Sequence, residues 1–474
     1  MDVEEDVCAI SAAAVAASAG FFFLAMMEEE ERRVKRRRTE YTAPVPRPLT
    51  PACMDAVDLW ALYQANPGMF RSWHRMTIYE MHHLVQLLPL PAEIRLPQAR
   101  GGYVCSPIVA LAMYLRHLSF PSRLDDMTME FGGGRSRVSA IIIHFGELLY
   151  NAVGEGLVFN METMVERAPL YSRAIMLAGN VYYPRVIGFM DTSLRVICQP
   201  SRHQQEAVTD GNETARELKI QTVVTPDGLI SCAYGPAARR LHDAFLCDYS
   251  RLDIEHMHQL NRRLDEELGP GHVHAWEPNL FANQPYSIYG DGAYRGFEYI
   301  VHPFIKPRNG QLPATFKRIN TAMSRVRTSC AEVGHKLLSS LWHQLCLRSH
   351  QKVLLSPIET ALVNAIFLTN CVTCARGGNQ IIDLIEDEAG EAVELPLKET
   401  LDLDVYVQRV TGHVADNIAP PPIPMPDANG PDFAGMLPEI AGLPGAFRTA
   451  VREMYVQYQA QAAQAQAQAP EGCP

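Results

Sequence analysis

Four acidic side chains in the middle of the 474-residue chain stand where folding could gather them. Asp191 and Asp291 end apolar, strand-like runs, Asp243 follows a hairpin, and Glu332 lies on a long helical segment. Carboxylates collected at one sheet edge repel one another unless a divalent cation neutralises them, and Mg²⁺ takes a few carboxylates together with substrate phosphate oxygens. Such a site would support two-metal phosphoryl transfer, one ion activating water or a 3′-hydroxyl and the other stabilising the leaving oxygen. Spacing alone does not select this chemistry, because acids at strand ends commonly belong to solvated turns.

The elements that must position these acids can be read from periodicity. Residues 185–190 form an apolar run ending in Asp191, and residues 194–198 follow as a second strand. Residues 218–225 join 229–234 through Pro226-Asp227-Gly228, a hairpin with turn chemistry. A short strand over 286–289 ends at Gly290-Asp291, and a long helix is expected over 319–347. Strands first, then strands interleaved with helices, indicate a mixed α/β domain over residues 180–378.

Residues 58–170 read as helical. Thr77 and Glu80 form a capping box, and Ser106-Pro107 gives a second start signal. Residues 124–131, the turn Gly132-Gly133-Gly134 and residues 135–153 match a helix-turn-helix whose second helix opens with Arg135, Ser136, Arg137 and Ser139, the candidate DNA contacts. An ordinary helical hairpin has the same pattern.

Residues 1–57 are a separate segment and linker. Residues 7–27 are uncharged and as a helix could just cross a bilayer core, but Asp2, Glu4, Glu5 and Asp6 before them have the wrong sign for a secretory leader. Their Ala/Ser-rich composition argues against a membrane span and for a partner-binding or dispensable helix. Arg32, Arg33, Lys35, Arg36, Arg37 and Arg38 form a basic cluster of the kind read as a nuclear-localisation or phosphate-contact patch, with a merely solvated charged run as the alternative.

Composition bounds the rest. With 47% apolar and 20% charged residues the chain is an ordinary globular mixture, neither wholly disordered nor collagen-like. The net charge of −11 (42 basic, 53 acidic) speaks at first against a nucleic-acid partner. Residues 380–474 hold 4 basic and 15 acidic residues, however, so all the excess lies there and residues 1–379 are neutral. That acidic, Pro- and Gln/Ala-rich stretch, 379–474, is expected to be a disordered tail. The 11 cysteines lack dense, regular spacing and read as reduced thiols. Cys371 and Cys374 form a single CxxC without a second pair and read as buried thiols; the paired histidines, such as His82-His83 and His272/His274, lack a complete ligand set. No phosphate-binding GxxxxGK[ST] loop and no Gly-x-Ser-x-Gly elbow occurs.

Several ordered motifs carry a resemblance. Gly188-Phe189-Met190-Asp191, Ile197-Cys198-Gln199-Pro200-Ser201, Pro226-Asp227-Gly228, His242-Asp243-Ala244, Ile288-Tyr289-Gly290-Asp291-Gly292-Ala293-Tyr294, and the Ala-Met-Ser-x-Val-Arg core of residues 322–327 follow one another in order. With Gln351-Lys352-Val353-Leu354-Leu355 and Leu368-Thr369-Asn370-Cys371, this region, roughly 185–375, resembles Harbinger-type DDE transposases and their derived nucleases. The resemblance implies a ribonuclease-H-like sheet flanked by helices, preceded by an all-α DNA-binding region. It implies Mg²⁺- or Mn²⁺-dependent DNA cleavage and strand transfer, nuclear residence, often with a Myb-like helper protein, and possible self-association. Carried over residue by residue, it makes Asp191, Asp291 and Glu332 the catalytic acids, adds Asp243 as a further metal ligand, and gives Arg325 and Arg327 to DNA contact.

Three positions depart from the family pattern. Asp191-Thr192-Ser193 replaces Asp-Gly-Thr, Gly211-Asn212-Glu213-Thr214 replaces a basic Gly-His-Lys-Arg segment, and the family's Glu, four residues after the Arg matching Arg327, falls on Ala331. Glu332 is one residue late, which on an ideal α-helix turns it by about 100° and aims it to solvent. A single π-turn would absorb the extra residue and restore its aim. The alternative to an enzyme is a catalytically inactive relative that keeps the fold and binds DNA or protein.

Overall fold

The computed structural model describes residues 53–97, 102–120, 122–179, 185–198, 217–239, 241–274, 276–277, 284–306, 310–352, 356–389 and 397–413. The first elements are helical: α1 (Ala56–Ala65), α2 (Pro67–His74), α3 (Ile78–Leu87), a two-stranded ribbon of β1 (Ile94–Arg95) and β2 (Val104–Cys105), α4 (Pro107–Ser119), α5 (Leu124–Phe131), α6 (Arg135–Val153) and α7 (Met161–Gly179). Their starts follow the local chemistry. The Thr77–Glu80 capping box closes in both directions, with the Thr77 N–H donating to Glu80 Oε2 at 2.6 Å and the Glu80 N–H to Thr77 Oγ1 at 3.2 Å. α5 stops because Gly132 (φ 70°) and Gly133 (φ 72°) take left-handed backbone that side-chain-bearing residues avoid, and α6 restarts at Gly134.

The sheet has the order β5-β4-β3-β6-β7, from β3 (Val186–Val196), β4 (Glu217–Val224), β5 (Ile230–Ala238), β6 (Ser287–Tyr289) and β7 (Ile300–Val301). β4 runs antiparallel to both β3 and β5, whereas β6 pairs in parallel with β3 and β7 in parallel with β6, so the sheet is mixed. Between β5 and β6 come α8 (Asp243–Ser250), a π-turn (Leu252–Met257) and α9 (His258–Leu268); after β7 come α10 (Ala314–Arg327), a second π-turn (Thr328–Glu332) and α11 (Val333–Leu341). Adjacent residues of β4 show what covers each face: Gln221 donates to Ser250 Oγ of α8 at 3.3 Å, while Thr222 Oγ1 lies 3.3 Å from His335 Nε2 of α11. α7 also packs on β3.

The hairpin turn at Pro226-Asp227-Gly228 is anchored below the surface. Asp227, fully buried, pairs with Arg167 of α7 at 2.9 Å, accepts from Thr225 Oγ1 at 2.6 Å and from the Leu229 N–H at 3.2 Å, and is bonded by Tyr171 Oη. Burying a carboxylate is tolerable only when it is paired and hydrogen-bonded in this way.

Three expectations change. Residues 185–190 and 194–198 are not two strands: β3 runs unbroken through Asp191 to Val196, because residues 189–196 are in continuous register with β4. Asp191 is therefore mid-strand. The helix expected over 319–347 starts earlier, is interrupted by the π-turn at Thr328–Glu332 and ends at Leu341. The acidic tail does not begin at 379, for α13 (Gln380–Ala389) and α14 (Leu403–Thr411) are folded, burying Ile381, Ile382 and Ile385, and Leu403, Tyr406, Val407 and Val410. Apolar residues at helical spacing override the acidic composition there. Residues 414–474, like the apolar and basic segments near the N-terminus, lie outside the described residues.

α12 (Ile358–Arg376) is apolar around its whole circumference and buried accordingly. It is the one described single helix long and apolar enough to cross a membrane, and most of it is enclosed by protein. Asn364 donates to Tyr114 Oη of α4 and to the Gly146 carbonyl of α6, both at 2.8 Å. Asn370 bonds both backbone groups of Ile230 on β5, each at 3.0 Å. Helical region and sheet thus share one hydrophobic core.

Candidate active site

β3 and β6 carry the first two acids to one place. The parallel register pairs Phe189 with Tyr289, whose rings meet edge to face at 5.9 Å. Parallel partners point the same way, and Asp191 and Asp291 lie two residues beyond that pair on their respective chains. Gly290 is required between them: a Cβ there would stand 2.7 Å from the Tyr294 ring. The Asp291 turn is closed by its own side chain, Oδ1 accepting from the Ala293 N–H at 2.8 Å, and is tied back to β3 by a 3.0 Å hydrogen bond between Thr192 Oγ1 and Tyr294 Oη.

Glu332 reaches the same face from the helical layer. Five residues, Thr328–Glu332, form a π-turn, which accommodates one residue more than an α-turn. Ser329, Cys330 and Ala331 are buried by it, and Glu332 emerges with 44% of its side chain exposed, 3.8 Å from Lys336 Nζ. Arg327, the last residue of α10, places its guanidinium 3.3 Å from Asp191 Oδ1.

The electrostatics record this convergence. Burial pushes the Asp191 carboxyl above the ordinary aspartate range; Arg327 and the Thr192 N–H oppose that, while the charges of Asp291 and Glu332 add to it. Asp191, Asp291 and Glu332 therefore share one field, and Arg327 is the cation within it.

Asp243 stands apart. At the first turn of α8 it pairs with Lys219 Nζ at 2.8 Å, and Lys219 also donates to the Leu241 carbonyl at 2.7 Å. Lys219 is in register with Leu194, which alternates away from Asp191 on β3, so this pair lies on the α8 face. The charges of Asp243 and Asp291 both reach the buried Tyr294 phenol, whose pKa burial raises. Among the described residues no three His, Cys, Asp or Glu side chains are grouped to hold an ion.

The residues expected to meet DNA are largely engaged within the protein. Arg135 binds Asp125 across the glycine turn, and Arg137 donates to the Val104 carbonyl at 2.9 Å and lies over the Tyr103 ring. Ser136 is exposed and Ser139 half-buried. Arg325 donates to the Ala178 carbonyl at 3.0 Å and lies 3.6 Å from Glu388, and Arg327 is committed to Asp191. Arg32, Arg33, Lys35 and Arg36–Arg38, with Gly211–Thr214, are outside the described residues.

Sequence reasoning missed Lys219 as the partner of Asp243 and Tyr294 as the clasp between the Asp291 turn and β3. The alternation of residues along β4 was the available signal for Lys219; for Tyr294, three residues beyond Asp291, there was none. Cys371 and Cys374 are buried thiols, and burial raises the pKa of both. His82 accepts from Trp60 Nε1 at 3.1 Å and is a packing histidine.

Compared with models of known protein families, with curated proteins and with solved structures, the chain matches none.

Proposed function

We propose that the protein is a metal-dependent DNA nuclease of the DDE type, related to Harbinger transposases, with a ribonuclease-H-like fold, acting in the nucleus on DNA. The observation that carries this reading is that Asp291 and Glu332, 100 and 141 residues further along the chain, lie near enough to Asp191 for their charges to act on its carboxyl, although the three are not grouped closely enough here to hold an ion. The sheet order, three antiparallel strands followed by two parallel ones, supports the fold, and the motifs of residues 185–375 support the family. A Myb-like helper and a second copy of the chain are partners that the resemblance suggests.

Carboxylates whose charges act on one another suit a hard divalent cation, which would activate water and stabilise the leaving oxygen. Asp191, Asp291 and Glu332 would hold it; Asp243, paired with Lys219 on the other face, would not. Arg327, whose charge opposes the protonation of Asp191, would also be placed to bind a substrate phosphate, to which a guanidinium forms paired hydrogen bonds. Gly290 and the Thr192–Tyr294 bond hold Asp291 beside β3. No covalent protein intermediate is required, because positioning and charge neutralisation suffice for phosphoryl transfer.

A second reading, an inactive relative that binds DNA or protein, is favoured by the same Arg327–Asp191 pair, which already neutralises the carboxylate a metal would need. Supercoiled plasmid with Mg²⁺ or Mn²⁺ decides between them. Nicking that Asp191→Ala and Asp291→Ala each abolish supports the enzyme; an inert wild-type protein that still retains DNA supports the binder.

A further inference from the structure

A cleft of about 460 Å³ opens between α4, α6 and the segment that leads into α12, away from the carboxylates. Its size falls within the range of small-molecule sites. One wall is apolar, from Leu118, Ile142, Ile143 and Ile358. The rim carries two cations, Arg123 and Lys352, and hydroxyls including Ser139 and Ser356. No Asp or Glu lines it; Glu359, in the first turn of α12, is turned aside to accept from Tyr150 Oη at 2.8 Å. No side chain caps the N-terminus of α12, whose first residues form part of the lining, and although the Ile358 N–H donates to the Ser356 carbonyl at 2.8 Å, the positive end of the helix dipole adds to the cationic rim.

Two further lining groups are unsatisfied. His117 Nδ1 and Gln344 Oε1 are buried without a hydrogen-bond partner, a state that costs free energy unless a ligand or water supplies one. Burial lowers the His117 pKa to about 4, so at neutral pH its imidazole is uncharged and offers one donor and one acceptor. It stacks on His350, ring centres 6.2 Å apart, giving the cleft a flat aromatic flank.

We propose that this cleft binds a nucleoside monophosphate, with the base against the Leu118–Ile142–Ile358 wall and hydrogen-bonded by His117 and Gln344, and the phosphate between Arg123, Lys352 and the start of α12. An apolar wall with a few convergent polar groups suits a base, and an acid-free cationic rim suits its phosphate. The inference does not rest on the nuclease reading, since none of the carboxylates takes part. The ligand is either a free nucleotide or the terminal nucleotide of a DNA strand.

The test is isothermal titration of the full chain with deoxyadenosine 5′-monophosphate, with a 5′-phosphorylated single-stranded oligonucleotide, with deoxyadenosine and with inorganic phosphate. At least one nucleotide probe should bind, with nucleoside and inorganic phosphate weaker by roughly tenfold or more. Arg123→Ala with Lys352→Ala should weaken binding to a similar degree; both residues are exposed, so the fold should survive. His117→Phe, which keeps the flat flank but removes the ring nitrogens, should weaken the nucleotide and leave inorganic phosphate unchanged. Asp191→Asn should have no effect on binding, which separates this site from the nuclease proposal. Preference for the monophosphate or for the oligonucleotide identifies the source. The inference is overturned if neither nucleotide probe binds, if the Arg123/Lys352 variant binds as the wild type does, or if inorganic phosphate binds as tightly as the nucleotides.

Discussion

Arg327 and Asp191, 136 residues apart in the chain, meet at 3.3 Å, each with about a quarter of its side chain exposed. The pair sets two opposing tendencies on the carboxyl, burial driving it toward protonation and the guanidinium toward ionisation. Arg327→Gln removes the second, so the Asp191 carboxyl titrates at higher pH. In the nuclease reading, the acidic limb of the plasmid-nicking profile moves to higher pH in this variant. An unmoved limb would show that Asp191 ionisation does not limit the reaction.

Asp191 should also cost stability. Because its folded pKa lies above the ordinary aspartate value, the folded state binds the proton more tightly, and ionisation penalises folding as pH rises through that folded value. Asp191→Asn is therefore expected to stabilise the protein at pH 7 by about 0.5 to 2 kcal/mol, the range common for removing one unfavourably placed charge. The gain should fade toward pH 3, where Asp191 is protonated in both states. Urea unfolding at the two pH values measures it, and a variant less stable than wild type at pH 7 contradicts it.

The π-turn carries one residue more than the flanking helices need. Deleting exposed Thr328 should let the remaining Ser329–Glu332 re-form as α-helix while the α11 residues keep their contacts. Deleting exposed Lys336 instead turns Leu338 and Leu341 by about 100° out of the core relative to the preceding turns. Melting temperatures of the two deletions should therefore differ widely, the Thr328 deletion remaining near wild type. Equal losses would mean that the bulge is an integral part of the packing.

Asp227→Asn leaves Arg167 buried opposite a neutral amide. Breaking a buried pair from one side typically costs about 3 to 5 kcal/mol. Denaturant unfolding should register a loss of that order, and a loss below about 1 kcal/mol would indicate that water reaches the pair.

His74 is fully buried against Phe70, and burial lowers its pKa to about 4. A histidine with a depressed folded pKa leaves stability intact above about 6.5 and withdraws it as pH falls toward 4, because the unfolded chain takes up the proton first. His82 and His335 behave alike, each with a pKa lowered to about 4. Stability should decline between pH 6.5 and 4.5, and His74→Phe should flatten the decline. Urea midpoints across that interval provide the comparison; parallel slopes for the two proteins would remove His74 from the acid response.

Much of this architecture is written locally. The Thr77 capping box, the triple-glycine turn and the Pro-Asp-Gly hairpin each depend on a few adjacent residues, and each forms where the residues call for it. The π-turn at Glu332 is suggested only by the family resemblance, in which Glu332 is one residue late; the apolar stripe from Ile319 to Leu341 runs at helical spacing and does not itself call for one. What spacing does not encode is pairing across the sheet. Whether Asp243 joins Asp191 or faces Lys219 depends on which side of β4 Lys219 takes, and that follows from the β3–β4 register. The folded helices at Gln380–Ala389 and Leu403–Thr411 were hidden by their acidic composition, although their apolar faces pack on the core. Gly156 shows how close that packing is: a Cβ there would collide with the Val410 backbone.

Gripped from both sides, Ile358–Arg376 ties the helical bundle to the strands, for Asn364 fastens one and Asn370 the other. Dividing the gene between the two parts would yield fragments that each expose half of an oily seam, and separate expression should give aggregates rather than working modules.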